Sequence, residues 1–187
     1  VSVIDELPPG RQKVDTFAVG ESYRRRVYAF LRKQVAAGHQ VFIVCPLVHS
    51  GEEVPDERKA VTAYAKHLQE EVFPDLRVAV LHGKMKPKEK DAVMSAFAAG
   101  ESEILVSTTV IEVGVDVPNA NTMVVENAER FGLSQLHQLR GRVGRGSAKS
   151  YCILLSDTQS EQTRQRLKVL TQTNDGFRIS EEDLRLR

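Results

Sequence analysis

The chain has 187 residues, of which 41% are hydrophobic and 27% charged, proportions that are ordinary for a globular protein. A formal net charge of +1 excludes a global positive field, so any nucleic-acid contact depends on local basic patches. No apolar run approaches membrane-spanning length and no secretory signal is visible, so we expect no membrane partner. The two cysteines, Cys45 and Cys152, lack metal-ligand spacing and suit buried thiols of a cytoplasmic protein.

The first half of the chain predicts strands that alternate with helices after a lead-in of residues 1–20. A start at Val1 rather than Met favours a piece of a longer protein. The continuous apolar run before Pro46 is typical of a strand that is buried on both faces of a parallel sheet. The predicted elements are a strand at Val14–Val19, a helix at Glu21–Ala37, a strand at Gln40–Cys45, a polar loop at His49–Glu57 and a helix at Arg58–Val72.

The second half continues the alternation and then changes. The predicted elements are a strand at Arg77–His82, a helix from Pro87 to Gly100, a strand at Ile104–Ser107, a short helical stretch, a strand at Asn121–Val125, a helix and a strand at Tyr151–Leu155. Such regular alternation predicts an α/β fold, with right-handed βαβ units around a parallel sheet over residues 14–157. A further helix and the polar turn Asn174–Phe177 predict an attached helical hairpin over residues 158–187.

Ligand sites of open α/β sheets collect beyond the carboxyl ends of the strands, and the segment His82–Lys86 follows such an end. Gly83 beside Lys84 is compatible with the approach of a phosphate backbone. A tight turn with solvated lysines explains the same residues equally well.

The segment Ser107–Pro118 is the second candidate. A hydroxyl at a strand end, such as that of Thr108, can bind phosphate oxygens, or it can cap the helix that follows. Asp116 is placed on a loop, where a carboxylate can accept hydrogen bonds from ribose hydroxyls or cap a local turn.

The segment Gln135–Gly146 is the third candidate, and we expect it at the same sheet edge. It interleaves three arginines with three glycines: Arg140, Gly141, Arg142, Gly144, Arg145 and Gly146. Arg142 and Arg145 are three positions apart and point the same way on a helical turn, where paired guanidinium groups suit a phosphate chain. Glycines at such cost to a helix indicate a close approach to the backbone. The alternative is a solvated basic helix end.

The chain lacks a Gly-x-x-x-x-Gly-Lys-[Ser/Thr] loop, and no arrangement of nucleophile and base or of metal ligands stands out. The sequence therefore predicts one half of a nucleotide site rather than a complete catalytic centre.

These strings resemble known motifs. Gln138–Arg145 is similar to motif VI of superfamily 2 helicases, Thr108–Pro118 to motif V, and Val41–Val48 occupies the place of motif IV. The segments His82–Lys90, Thr108–Ala120 and Gly132–Gly146 resemble the RecG family of branched-DNA helicases more closely, and the resemblance covers essentially the whole chain.

The resemblance implies that the chain is the second RecA-like domain of an ATP-dependent DNA helicase. ATP with Mg²⁺ would be held mainly by the first RecA-like domain of the same protein. Arg142 and Arg145 would reach its γ-phosphate, with Arg145 the arginine finger, and Gln138 would couple nucleotide state to the domain interface.

The remaining site residues are implied by the same resemblance. Asp116 would bind the ribose, with Gly114 permitting close approach. Branched double-stranded DNA would be the partner, contacted by Thr108 and by the segment His82, Gly83 and Lys84. Residues from Thr158 resemble the start of the family's translocation hairpin, which this chain does not complete. A transcription-repair coupling translocase and a non-catalytic RecA-like binding module are the alternatives.

Overall fold

A computed structural model describes residues 14–46, 57–108 and 117–172. The strands are β1 (Val14–Val19), β2 (Gln40–Val44), β3 (Val78–Leu81), β4 (Ile104–Ser107), β5 (Ala120–Val125) and β6 (Ser150–Leu155). The helices are α1 (Arg24–Ala36), α2 (Glu57–His67), α3 (Pro87–Ala98), α4 (Leu133–Arg140) and α5 (Glu161–Gln172). Short 3₁₀ turns precede α1 at Glu21–Tyr23 and α4 at Ala128–Arg130.

The six strands form one sheet in the order β1-β6-β5-β2-β4-β3, and every described pair is parallel. Because all strands run the same way, the sheet has one carboxyl edge and one amino edge. Each helix that connects two strands returns the chain from the first edge to the second. This direction decides where each candidate residue lies.

The central strand β2 is buried along its whole length, as its continuous apolar run predicted. Helices α1 and α2 cover one face of the sheet, whereas α3, α4 and α5 cover the other. The apolar faces of α1 and α2 contribute Val27, Leu31, Val61 and Ala65 to one core, and those of α3, α4 and α5 contribute Met94, Phe97, Leu136, Leu139, Leu167 and Leu170 to the other.

The helix that precedes β3 changes its hydrogen bonding in its last turn. Residues Leu68–Val72 form a π turn, in which the Phe73 amide donates to the Leu68 carbonyl at 2.6 Å. The Gln69 side chain accepts a hydrogen bond from the amide of Val78 at the start of β3. The predicted helix thus reaches Val72, but not with α geometry throughout.

The predicted α/β architecture is confirmed, and each described element lies within a few residues of its predicted bounds. The short helical stretch that follows Thr108 and the turn Asn174–Phe177 lie outside the described residues, as does most of the loop His49–Glu57. The division at residues 157 and 158 stays a prediction. Leu167 and Leu170 of α5 belong to the same core as α3 and α4.

Candidate functional site

The carboxyl edge brings together two of the predicted segments. The Thr108 amide donates to the Leu81 carbonyl at 3.2 Å, so Thr108 and His82 follow neighbouring strands β4 and β3. His82 is 8% exposed and Thr108 is 1% exposed, whereas Gly83 and Lys84 are exposed. The four residues predicted to contact a nucleic-acid backbone therefore lie side by side.

The loop after His82 runs into the amino end of α3. Pro87 occupies the first turn, and Lys86 at the N-cap position forms no side-chain capping bond. An uncapped helix start presents amide groups and a partial positive charge, which favour an anion. The Nδ1 atom of His82 is buried without a hydrogen-bond partner among the described residues. This corner of the sheet is suited to a phosphate oxygen.

A buried carboxylate lies further along the same edge. Glu126, which directly follows β5, is 7% exposed. It accepts hydrogen bonds from Arg24 Nη1 at 2.9 Å and Arg24 Nη2 at 2.7 Å, and another from the Tyr64 hydroxyl. The Tyr28 hydroxyl accepts a further bond from Arg24 at 2.9 Å. This cluster joins the start of α1 to α2 and to the end of β5.

The cluster favours the charged form of Arg24 and the neutral form of Tyr64. Burial and the negative charge of Glu126 raise the pKa of Tyr64, so its hydroxyl remains a neutral donor. Hydrogen bonds to Glu21 and Glu126 raise the pKa of Arg24. Sequence reasoning missed Glu126. A charged residue that directly follows the apolar run of β5 was the available signal.

The arginine-rich segment lies at the opposite, amino edge of the sheet. Helix α4 begins after the carboxyl end of β5 and returns the chain towards the start of β6. The Lys149 carbonyl, just after the segment, accepts a hydrogen bond from Asn121 Nδ2 at the start of β5. The expectation that the segment lies at the carboxyl edge was therefore wrong, because a helix that follows a strand carries its own end to the other edge.

The segment is also less helical than expected. Helix α4 ends at Arg140, and Gly144 has a φ of 82°, which stops any further helical turn. Arg142 and Arg145 therefore do not share a helical face by spacing alone. Arg145 is exposed and donates from Nε to the Gly141 carbonyl at 3.1 Å, and Arg142 is half-buried.

The structure shows why one glycine of the segment, Gly146, has no side chain. A Cβ atom at this position would lie 2.5 Å from the carbonyl oxygen of Pro118, a distance that no side chain tolerates. The backbone of the segment is thereby packed against the residues that precede β5. The close approach predicted from the glycines is made here, at least in part, by the chain itself.

The third arginine of the segment, Arg140, is buried and connects helices and a strand. Arg140 is 3% exposed and donates from Nη1 to the Leu170 carbonyl at 2.6 Å and to Thr16 Oγ1 at 3.1 Å. Burial lowers the pKa of Arg140. It ties α4 to α5 and β1, whereas Gln138, on the exposed side of α4, is accessible.

The predicted ribose contacts, Gly114 and Asp116, lie outside the described residues. The next residues along the chain, Val117 and Pro118, are described and lie at the amino edge. Within residues 14–46, 57–108 and 117–172, no group of three His, Cys, Asp or Glu side chains is arranged to hold a metal ion. None of the helices in these ranges has the length and apolar character needed to cross a membrane.

Comparison with known proteins relates this arrangement to one family. The helicase conserved C-terminal domain matches residues 23–147. The ATP-dependent DNA helicase RecG of Synechocystis is 54% identical over the whole chain, which covers 22% of that relative. RecG of Thermotoga maritima is 50% identical over the whole chain, which covers 24% of that relative. The chain thus spans about a quarter of the length of these relatives.

Solved structures give the same relationship. The structure of RecG bound to a three-way DNA junction matches 98% of this chain and 23% of its own, with 48% identity and a TM-score of 0.82. The C-terminal domain of the DEAD-box protein Dbp5 matches 94% of this chain and 84% of its own, with 17% identity and a TM-score of 0.51, and this likeness concerns the fold alone.

Proposed function

The chain belongs to the helicase conserved C-terminal domain family, and we propose that it is the second RecA-like motor domain of an ATP-dependent helicase that remodels branched DNA. In this proposal the amino edge serves ATP and the carboxyl edge serves DNA. A cytoplasmic location accords with a DNA-acting protein that has two free cysteines.

The observation that carries the proposal is the packing of Gly146 against Pro118. Because a Cβ atom would lie 2.5 Å from the Pro118 carbonyl, the arginine-rich segment is held against the stretch that follows Asp116 in sequence. The residues implied to contact phosphate therefore lie next to Pro118, which comes two positions after the implied ribose contact Asp116 in the sequence. A nucleotide site requires phosphate and ribose contacts to be close together, and this packing supports the proposal.

At this edge, Arg142 and Arg145 act on the triphosphate. ATP with Mg²⁺, bound mainly by the neighbouring first RecA-like domain, supplies the phosphoryl group to be transferred. The exposed guanidinium of Arg145 stabilises the negative charge that develops on the γ-phosphoryl oxygens, and Arg142 provides a second cationic donor. Gln138, on the exposed side of α4, faces the domain interface, and Asp116 and Gly114 orient the ribose.

At the carboxyl edge, Thr108 and the loop His82–Lys84 hold the DNA backbone. The amide groups at the start of α3 and the exposed Lys84 attract a phosphate without reading its base. In this proposal the domain contacts ATP and DNA at opposite ends of the same strands. A rotation of the domain against the first RecA-like domain therefore moves the ATP contacts and the DNA contacts together.

The test is Arg145→Ala in the full-length protein. We expect DNA-stimulated ATP hydrolysis to fall by about 10³-fold or more, because the finger acts in the transition state. Binding to a fork-shaped DNA, measured by fluorescence anisotropy, should remain near its wild-type affinity.

Arg25→Ala is the matched control, since Arg25 is an exposed arginine on α1, which covers the other face of the sheet. It should leave both measurements unchanged. Hydrolysis at near wild-type rates in Arg145→Ala would refute the role of the arginine.

A further inference from the structure

Strand β5 has one residue more than its neighbour β2 at the amino edge of the sheet. Gln40 pairs with Ala120 and Val41 pairs with Thr122, so Asn121 is an extra residue in β5, a β-bulge. A bulge changes the direction of the side chains that it contains, and bulges are frequent beside active sites. This bulge lies at the same edge as the arginine-rich segment.

The bulge turns the Asn121 side chain towards α1. Adjacent side chains of a regular strand point to opposite faces of the sheet. Thr122 Oγ1 nevertheless donates to Asn121 Oδ1 at 2.9 Å, so these two neighbours share a face. Because Asn121 Nδ2 donates to Gln34 Oε1 of α1 at 2.8 Å, it is the face that α1 covers. The side chain of Ala120, one position earlier, belongs to the core on the opposite face.

The amide of Asn121 holds the chain that leaves the arginine-rich segment. Asn121 is 2% exposed, and its Nδ2 atom has two hydrogens. Besides Gln34, Nδ2 donates to the Lys149 carbonyl at 3.2 Å. The orientation of the amide is determined, because a carbonyl can only accept and the Thr122 hydroxyl donates to the amide oxygen. A buried amide whose donors and oxygen are all paired is held rigidly.

The arginine-rich segment is therefore held on both sides. Before it, α4 ends at Arg140, whose guanidinium is buried and hydrogen-bonded. After it, the carbonyl of Lys149 is bound by Asn121. Arg142 and Arg145 lie between these two points in the sequence. The direction in which their guanidinium groups reach depends on both points, and Asn121 supplies the second.

We infer that Asn121 is a positioning residue for Arg145. It acts through the backbone of the arginine-rich segment, and the β-bulge is the feature of the fold that directs its amide there. The inference rests on the function proposed above and adds the residue that fixes the reach of the arginine finger. Loss of the amide lowers kcat but not the affinity for ATP, because a finger acts in the transition state and ATP is bound mainly by the first RecA-like domain.

The experiment is Asn121→Leu in the full-length protein. Leucine has a similar size but removes both amide donors. We expect kcat of DNA-stimulated ATP hydrolysis to fall roughly 10-fold, since a displaced catalytic group loses its alignment. KM for ATP should stay at the wild-type value, as should the affinity for fork-shaped DNA in fluorescence anisotropy.

Gln40→Met is the matched control, because Gln40 is also a buried amide at the amino edge. It is 4% exposed and donates from Nε2 to the Phe97 carbonyl at 2.6 Å and to the Ser102 carbonyl at 2.8 Å. It therefore ties β2 to the end of α3 rather than to the arginine-rich segment. The urea midpoint should fall about as much as in Asn121→Leu, whereas kcat should be unchanged.

Thr122→Val is a milder variant, and it decides the question alone if Asn121→Leu does not fold. The Thr122 side chain is fully buried, and its hydroxyl orients the Asn121 amide without contacting the segment. Without this hydrogen bond the amide can turn its oxygen towards the Lys149 carbonyl. We expect kcat to fall roughly 3-fold, the equivalent of one hydrogen bond, with KM unchanged.

The comparison with Arg145→Ala separates this inference from the proposed function. If Arg145→Ala abolishes hydrolysis but Asn121→Leu has the same kcat as Gln40→Met, the positioning role is refuted and the proposed function stands. A rise in KM in place of a fall in kcat would refute the positioning role in the same way. If Arg145→Ala hydrolyses ATP at the wild-type rate, both the inference and the proposed function are wrong, whatever Asn121→Leu does.

Discussion

The two edges of the sheet hold their candidate site residues in different ways. At the carboxyl edge, the candidate side chains directly follow the ends of strands and are buried, with Thr108 1% exposed and His82 8% exposed. At the amino edge, the arginine-rich segment arrives on the end of α4, and Arg145 is exposed. A site built on strand ends is held by the sheet, whereas a site carried by a returning helix depends on a few packing contacts.

Gly146→Ala tests that dependence, and its expected effect is second only to that of Arg145→Ala. The added methyl group would lie 2.5 Å from the Pro118 carbonyl, so the arginine-rich segment must move. Displacement of about 1 Å can cost roughly 100-fold in rate, and we expect such a loss in DNA-stimulated ATP hydrolysis of the full-length protein.

Gly100→Ala serves as the control for backbone strain. Gly100 has a φ of 83°, and no atom lies within 4 Å of the position that an added methyl group would take. The substitution therefore costs stability of about 1–2 kcal/mol without displacing a neighbour. Its ATP hydrolysis should stay at the wild-type rate. Equal activities of the two alanine variants would show that the Pro118 contact does not position the segment.

Arg140→Ala and Arg142→Ala are expected to differ in their effect on the free energy of unfolding. Removal of the buried side chain leaves the Leu170 carbonyl and the Thr16 hydroxyl without their donor, so we expect a loss of about 3 kcal/mol in the free energy of unfolding. Arg142→Ala, at a half-buried position, should change it by less than about 0.5 kcal/mol. Urea denaturation of both variants measures the difference, and similar losses would contradict the distinct placement of Arg140.

Glu126→Gln tests the cluster at the carboxyl edge. The substitution removes the buried carboxylate that accepts hydrogen bonds from Arg24 and Tyr64 and leaves Arg24 paired only with the exposed Glu21, so we expect a loss of about 2 kcal/mol in stability. Asp75→Asn removes the carboxylate of the exposed pair with Arg32 and should have little effect on the same urea midpoint. An effect as small as that of Asp75→Asn would mean that solvent replaces the lost contacts.

Cys152 gives the smallest effect and reports on the core between the edges. Burial raises the pKa of its thiol to about 12, whereas an unfolded thiol titrates near pH 8.5. Above about pH 8.5 the unfolded chain releases a proton that the folded chain retains, so the free energy of unfolding should fall by roughly 1 kcal/mol per pH unit. Unfolding of wild type and Cys152→Ala between pH 8 and 10 measures the slope, which should be shallower in the variant.

Much of the fold followed from pattern alone, and the reason is physical. The continuous apolar run of β2 and the periodic apolar faces of α1 and α3 encode burial directly, and burial determines the layers. The placement of Thr108 and His82 at the carboxyl edge also followed, because both residues directly succeed a strand, whereas the strand order that makes them neighbours did not.

The sequence did not predict which way the side chains near helix ends point, or how deeply they are buried. Arg140 and Arg145 look alike in the sequence, yet one lies in the core and the other in solvent, because α4 ends between them. The Glu126 cluster joins residues from α1, α2 and β5 that are far apart in the chain, and no local pattern connects them. Gly146 pointed to a close approach, but not to Pro118 as the neighbour.

Hydrogen–deuterium exchange of the 187-residue chain, with and without duplex DNA, tests the separation of the two edges most directly. We expect DNA to slow exchange of the amides at residues 82–86 and 107–108, and to leave residues 141–146 unchanged. Protection of residues 141–146 by DNA, with none at residues 82–86, would contradict the assignment of DNA to the carboxyl edge and of ATP to the amino edge.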